Sequence, residues 1–259
     1  MIRPAEVDSA IEQLARAGFL APVAEVAEMT SVAEHGDDLR SMVERRTTGE
    51  PLAWITGRTT FCGEEIRLDP GVYVPRPQTQ PMVEAAARLL PPDGLAVDLC
   101  TGSGAIATVL ARRRPGARVI GTDLDPKAVA CARSNGVEAH QGDLAEPLLP
   151  ELAGQADVVV AVVPYVPTES LHLLPRDVRD HEPTRALDGG PAGTELLARA
   201  VGAAASLLRP GGWLLLELGG DQDDLLAPTL LRFGFTSIAC MRDEEGDLRA
   251  VRARSPREP

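Results

Sequence analysis

At 259 residues, 44% of them hydrophobic, the chain has enough apolar material for one large core domain and a small appendage. A net charge of −12, with no Lys/Arg stripe beyond Arg112-Arg113-Arg114, argues against a nucleic-acid partner, and that triplet reads as a basic helix end. The cysteines Cys62, Cys100, Cys131 and Cys240 form no Cys-x-x-Cys pair, so neither a zinc site nor a disulfide framework is indicated. With no basic-then-apolar leader and no membrane-length apolar run, the expectation is a cytoplasmic protein with no membrane partner and no metal.

Residues 1–48 carry apolar side chains at helical spacing, Val7, Ile11 and Leu14, then Leu39, Met42 and Val43. Breakers at Gly18, Pro22 and Gly36 divide this segment into short helices too small to fold alone. Residues 49–80 form a connector in which Phe61–Leu68 and Val72–Val74 alternate like a hairpin around Asp69-Pro70-Gly71. Pro75-Arg76-Pro77-Gln78-Thr79-Gln80 then opens an Ala-rich helix running to Leu90. Thr79 is either a helix cap or a ligand for the carboxylate of an amino-acid tail.

Residues 81–259 alternate strands and helices. Leu95–Leu99, Arg118–Asp123, Val137–Leu144, Ala156–Ala161 and Trp213–Leu218 read as strands, and Thr236–Met241 with Leu248–Arg252 as a closing antiparallel pair. That is an α/β, Rossmann-like doubly wound sheet with an antiparallel edge. The stretch from Thr168 to Gly193, with His172, His181 and Glu182, is long for a connection without secondary structure and reads as a lid over the substrate side.

The chemistry gathers at three strand ends. Asp98 closes the first strand and is followed by Cys100-Thr101-Gly102-Ser103-Gly104, a Gly-rich turn into a helix whose free N–H groups face a ligand. Asp123 ends the next strand, about 20 residues on, where an acid accepts both hydroxyls of a ribose. Asp143 ends the third, placed for the exocyclic amine of an adenine. The Cys100-x-Gly102-x-Gly104 loop lacks the last glycine of a pyrophosphate-binding G-x-G-x-x-G. It suits a ligand with an amino-acid tail, which is S-adenosylmethionine.

Taken together, Gly49-Glu50-Pro51-Leu52, Phe61-x-Gly63, Asp69-Pro70-Gly71, Val74-Pro75-Arg76-Pro77-x-Thr79, Asp98-Leu99-x-Thr101-Gly102-Ser103-Gly104, Thr122-Asp123, Gly142-Asp143-Leu144 and Leu187-Asp188-Gly189-Gly190 resemble the HemK-type protein-(glutamine-N5) methyltransferases of peptide-release factors. The resemblance implies a class I methyltransferase fold that converts S-adenosylmethionine to S-adenosylhomocysteine. It places the cofactor on Thr79, Asp98, Thr101, Gly102, Gly104, Asp123, Leu124, Asp143 and Leu144.

Three departures accompany it. The family's Asn-Pro-Pro-Tyr is Val162-Val163-Pro164-Tyr165 here, and valine offers no acceptor to the amide nitrogen being methylated. The acids flanking the family's Thr are Gln78 and Gln80, and the N-terminal helical segment, which in the family helps dock the release factor, is shorter than usual. The expectation is therefore a small-molecule acceptor, walled by Tyr165, Pro164, Val162 and Phe61, in preference to a protein. An oxygen or carbon nucleophile would need a base, for which His181 is the candidate, the alternative being a surface histidine in a turn. Retained glutamine methylation and cofactor binding without methyl transfer are the other two readings.

Overall fold

Three helices, α1 (Pro4–Arg16), α2 (Pro22–Thr30) and α3 (Gly36–Thr47), open the computed structural model, which describes residues 2–149 and 151–256. Leu14, Val26, Met29, Leu39 and Val43 bury against one another in a small core on which Leu52 packs. Arg46 ties α3 to α2 through Glu25 at 2.6 Å, and its guanidinium lies 4.2 Å over the Phe19 ring. The short helix α4 (Leu52–Thr56) joins this bundle to the rest of the chain: Trp54 packs among Leu68, Val72, Ala128 and Cys131, and its indole N–H donates to Val72 O at 2.9 Å.

The hairpin is not where alternation suggested. Strands β1 (Arg58–Phe61) and β2 (Glu64–Arg67) pair with Phe61 opposite Glu64, so the turn is Cys62-Gly63 and Asp69-Pro70-Gly71 follows the hairpin. Both turn residues have positive φ, +50° and +79°, the backbone that twists a two-residue hairpin correctly. An apolar cysteine in that position hides the turn from a reading based on Asn-Gly or Asp-Gly signals.

After α5 (Gln80–Leu89) the main sheet alternates with helices: β3 (Leu95–Leu99), α6 (Ala105–Arg113), β4 (Arg118–Asp123), α7 (Pro126–Ser134), β5 (Glu138–Gln141) and β6 (Ala156–Ala161). It then runs through α8 (Arg176–His181), α9 (Glu195–Leu207), β7 (Leu208–Glu217), α10 (Gln222–Arg232), β8 (Thr236–Arg242) and β9 (Leu248–Arg254). The strand order is β5-β4-β3-β6-β7-β9-β8, parallel from β5 to β7, with β9 antiparallel between β7 and β8.

Each buried strand sends alternate residues to opposite cores. Val97, Leu99, Leu214 and Leu216 meet Leu197, Val201, Leu226 and Leu230 of α9 and α10 on one face. Ala96, Val158, Val160 and Leu215 meet Met82, Val83, Val109 and Leu110 of α5 and α6 on the other. The same parity turns the two acids inside the strands, Asp98 and Glu217, toward the α5/α6 side. The basic triplet is spent internally: Arg112 and Arg113 pair with Glu64 and Glu84, and Arg114 donates to Leu90 O.

Candidate active site

The order of strands reverses between β3 and β6, and a cavity of about 600 Å³ opens there at their carboxyl ends. Its near wall is the loop after β3, where Cys100 and Gly102 have φ of +57° and +56°. A side chain on Gly102 would meet nothing within 4 Å, so this backbone faces open space. Gly104 differs: a Cβ there would strike Val137 and Ala132 at 2.9 and 3.0 Å, so this glycine lets α6 start against α7 and does not line the cavity.

Asp123 does line it. One carboxylate oxygen accepts the Gly102 N–H and the other the Asp125 N–H, each at 2.9 Å, while burial pushes its pKa up. Leu124 stands beside it, 67% exposed, with Leu144 across the floor. Asp143 is on the rim and paired with Arg199 of α9 at 2.5 Å. A carboxylate with free lone pairs for vicinal hydroxyls, two leucines for a flat ring and an open glycine backbone fit the adenosyl half of S-adenosylmethionine.

Asp98 occupies another position from the one its sequence context suggested. It points beneath α6, 1% exposed, and Oδ2 accepts Thr101 Oγ1 at 2.6 Å and the Ala107 N–H at 3.3 Å. Oδ1 has no partner, and burial pushes the pKa up to about 7. Asp98 therefore supports the loop from below, while Thr101 itself lines the cavity.

On the opposite side, Phe61, Val162, Pro164 and Tyr165 come together on the cavity wall with Tyr73, Leu174, Pro175 and Val178. The Thr168–Gly193 stretch is not structureless: 3-10 turns at Thr168–Leu173 and Thr184–Ala186 flank α8. Leu187-Asp188-Gly189-Gly190 braces the turn after β6. The Val166 N–H donates to Leu187 O and the Gly189 N–H to Val166 O, and a Cβ on Gly189 would lie 2.7 Å from Tyr165 Cα. Beneath the lid, Arg76 forms an ion pair with Glu182, which is 1% exposed at its side chain, and stacks 4.9 Å from the Tyr73 ring centroid.

His181 is not among the cavity-lining residues. Its ring Nε2 lies 3.3 Å from Thr48 O, back toward α3, so the candidate base is out of reach of an acceptor. Its neighbour Glu182, just past the end of α8 where the backbone turns extended, is the buried one of the two.

Thr79 is buried and makes no helix-capping bond; its hydroxyl donates to Glu217 Oε2 at 2.5 Å. Glu217 Oε1 accepts the Tyr165 hydroxyl at 3.0 Å, and Gln78 Nε2 donates to that hydroxyl at 3.3 Å. Burial pushes Glu217 up, against the pull of those donors. Glu217 went unread in the sequence, though an acid closing the apolar run Trp213–Leu216 is the same signal that drew attention to Asp98 and Asp123.

The parallel sheet, the cavity at its switch point and the adenosyl-fitting loop define a class I S-adenosylmethionine-dependent methyltransferase. Residues 96–181 match the methyltransferase domain family. The release factor glutamine methyltransferase of Geobacter sulfurreducens is 38% identical over 221 residues, 83% of this chain and 77% of that protein. The 4-amino-L-phenylalanine/4-methylamino-L-phenylalanine methyltransferase of Streptomyces pristinaespiralis is 39% identical over 223 residues, 81% and 76% of the two chains. The crystal structure of ribosomal protein L11 methylase from Lactobacillus delbrueckii subsp. bulgaricus shares the fold, with a TM-score of 0.53 and 19% identity over 73% of this chain and 85% of that one. The chain belongs to the release factor glutamine methyltransferase, or HemK-type, family.

Proposed function

We propose that this methyltransferase acts on a small molecule with an apolar, ring-bearing body and not on a glutamine side chain. The observation that carries this reading is Val162, an aliphatic side chain at the cavity-wall position where the family places asparagine. A glutamine amide brought there loses its side-chain acceptor, and an unpaired buried N–H costs about 1–3 kcal/mol. A flat ring gains from the same wall, because Phe61, Tyr73, Val162, Tyr165, Leu174 and Val178 offer it apolar and aromatic surface. The Streptomyces pristinaespiralis relative, named for an aromatic amino acid, is as similar to this chain as the release-factor enzymes are.

When bound, S-adenosylmethionine supplies a sulfonium methyl group whose carbon–sulfur bond breaks as the acceptor attacks in line. The chain's own contribution is position: Asp123, Leu124 and Leu144 hold the adenosyl half, and the lid with Tyr165 orients the acceptor and excludes water. Thr79 bears on the amino-acid end in a way its sequence position did not show. With its one proton given to Glu217, its oxygen presents lone pairs, which suit the ammonium of the methionyl group better than the carboxylate.

Retained release-factor methylation is the second reading, favoured by the names of the relatives. The Val162→Asn variant separates the two. Under the small-molecule reading, Val162→Asn lowers turnover of an aromatic amine such as 4-amino-L-phenylalanine and raises labelling of a release-factor glutamine from background. A wild-type enzyme that labels the release factor as fast as the variant does would overturn it.

A further inference from the structure

Glu217 is a buried titratable group to which positioning alone gives no use. It is 1% exposed at the end of β7, and among the described residues it has no ion-pair partner. Arg249 of β9, the cation that acts on it, is engaged with Asp243 and Asp247 at 2.6 and 3.3 Å. Its other ionisable neighbours are Tyr165 and Tyr73. Among the described residues, the Thr79 hydroxyl on Oε2 and the Tyr165 hydroxyl on Oε1 satisfy this carboxylate, with the neutral Gln78 amide beside it. A simple strut between two hydroxyls is served as well by an amide, without the cost of burying a charge.

Thr79 and Tyr165 both line the cavity, and Tyr165 does so on the stretch that carries Val162 and Pro164, so the path from that wall to Glu217 is one phenolic oxygen long. We propose that Glu217, reached through the Tyr165 hydroxyl, stores the proton that the acceptor gives up on methylation. The acceptor's chemical class rests on the small-molecule reading; the proton route does not.

With a nitrogen acceptor, transfer forms one nitrogen–carbon bond and breaks one carbon–sulfur bond. The nitrogen lone pair forms the new bond to carbon, the electron pair of the broken carbon–sulfur bond stays on sulfur, and the nitrogen loses a proton to Tyr165 Oη. The phenolic proton moves to Glu217 Oε1, leaving a neutral tyrosine and a neutral carboxylic acid. After product leaves, the proton returns along the same path to solvent. Tyr165 relays and does not act as a standing base, because burial and the adjacent carboxylate push its phenol well above its ordinary range. Burial raises Glu217, moving it toward the pH at which a carboxylate both accepts and releases protons. Gln78 contributes by being neutral. An acid there would face the same phenol and set a second carboxylate against Glu217.

The test is infrared titration of uniformly labelled, cofactor-free enzyme, with the Glu217 carboxyl band identified by subtraction of the Glu217→Gln spectrum. The band is expected to titrate above the range of an ordinary glutamate and to shift its midpoint in Tyr165→Phe, whose circular dichroism reports folding independently. A Glu217 that titrates as an ordinary glutamate, or that never ionises while the enzyme stays folded, overturns the proposal. With 4-amino-L-phenylalanine as acceptor, Glu217→Gln and Tyr165→Phe should lower kcat about 100-fold with little change in KM, and remove the acid limb of the wild-type pH–rate profile. A strut alone would change melting and KM and leave that limb in place. If wild-type enzyme does not methylate this amine, the small-molecule reading fails while the infrared titration still decides the proton store.

Discussion

The Thr79 hydroxyl donates to Glu217 Oε2 across 138 residues of sequence, joining the start of α5 to the end of β7 directly behind the cavity wall. Thr79→Val keeps the shape and removes the donor, leaving half of a buried carboxylate unsatisfied. The expected loss of stability is about 1.5–3 kcal/mol, read from chemical denaturation. Cofactor affinity should fall as well, because the oxygen offered to the methionyl end is lost. A variant as stable as wild type would show that the bond contributes nothing.

Arg76 and Glu182 form the pair that pins the lid, and their burial is unequal: 24% of the arginine side chain is exposed against 1% of the glutamate. Removing the arginine leaves an uncompensated buried charge, whereas removing the glutamate leaves a cation that still reaches water and the Tyr73 ring. Arg76→Ala should therefore cost about 3 kcal/mol and Glu182→Ala less. Limited proteolysis should cut both variants faster within residues 168–193. Equal costs, or the reverse order, would contradict the assigned burial.

Asp98 gives a pH dependence whose direction follows from burial. Its pKa rises from 3.8 to about 7 on folding, so between those values the folded state holds a proton that the unfolded state has lost. Its contribution favours the fold at low pH and fades as pH rises through that window. The difference in unfolding free energy between wild type and Asp98→Asn isolates this against carboxylates such as Glu6 and Glu50, whose arginine partners hold them low and act in the opposite sense. A cationic ligand near the loop favours the ionised form. Binding of S-adenosylmethionine should release protons as Asp98 ionises, seen by calorimetry in buffers of different ionisation heat, and affinity should rise with pH over the same range.

His181→Ala should leave turnover unchanged, since the ring faces Thr48 and not the cavity. A large fall in kcat would return the histidine to the reaction.

The local chemistry was legible and the long-range pairing was not. Acids ending apolar runs, a glycine turn and alternating strands and helices are short-range signals, and they led to Asp123, Asp143, the Gly102 loop and the doubly wound sheet. Asp98 shows the limit: its strand position was readable, but only the parity of β3 reveals that it turns under α6. Arg76 with Glu182 and Thr79 with Glu217 depend on segments brought together by the whole sheet, which spacing along the chain cannot encode. The Cys62-Gly63 turn escapes sequence signals because Cys62 adopts a backbone that those signals assign to glycine and asparagine.

Direct methyl transfer identifies the acceptor. Wild-type enzyme with methyl-labelled S-adenosylmethionine is offered an intact release factor and 4-amino-L-phenylalanine in the same vessel, and product is resolved by mass. Label on the aromatic amine, with the release-factor glutamine at background, is the result this account gives. Label on the glutamine, with the small molecule untouched, contradicts it.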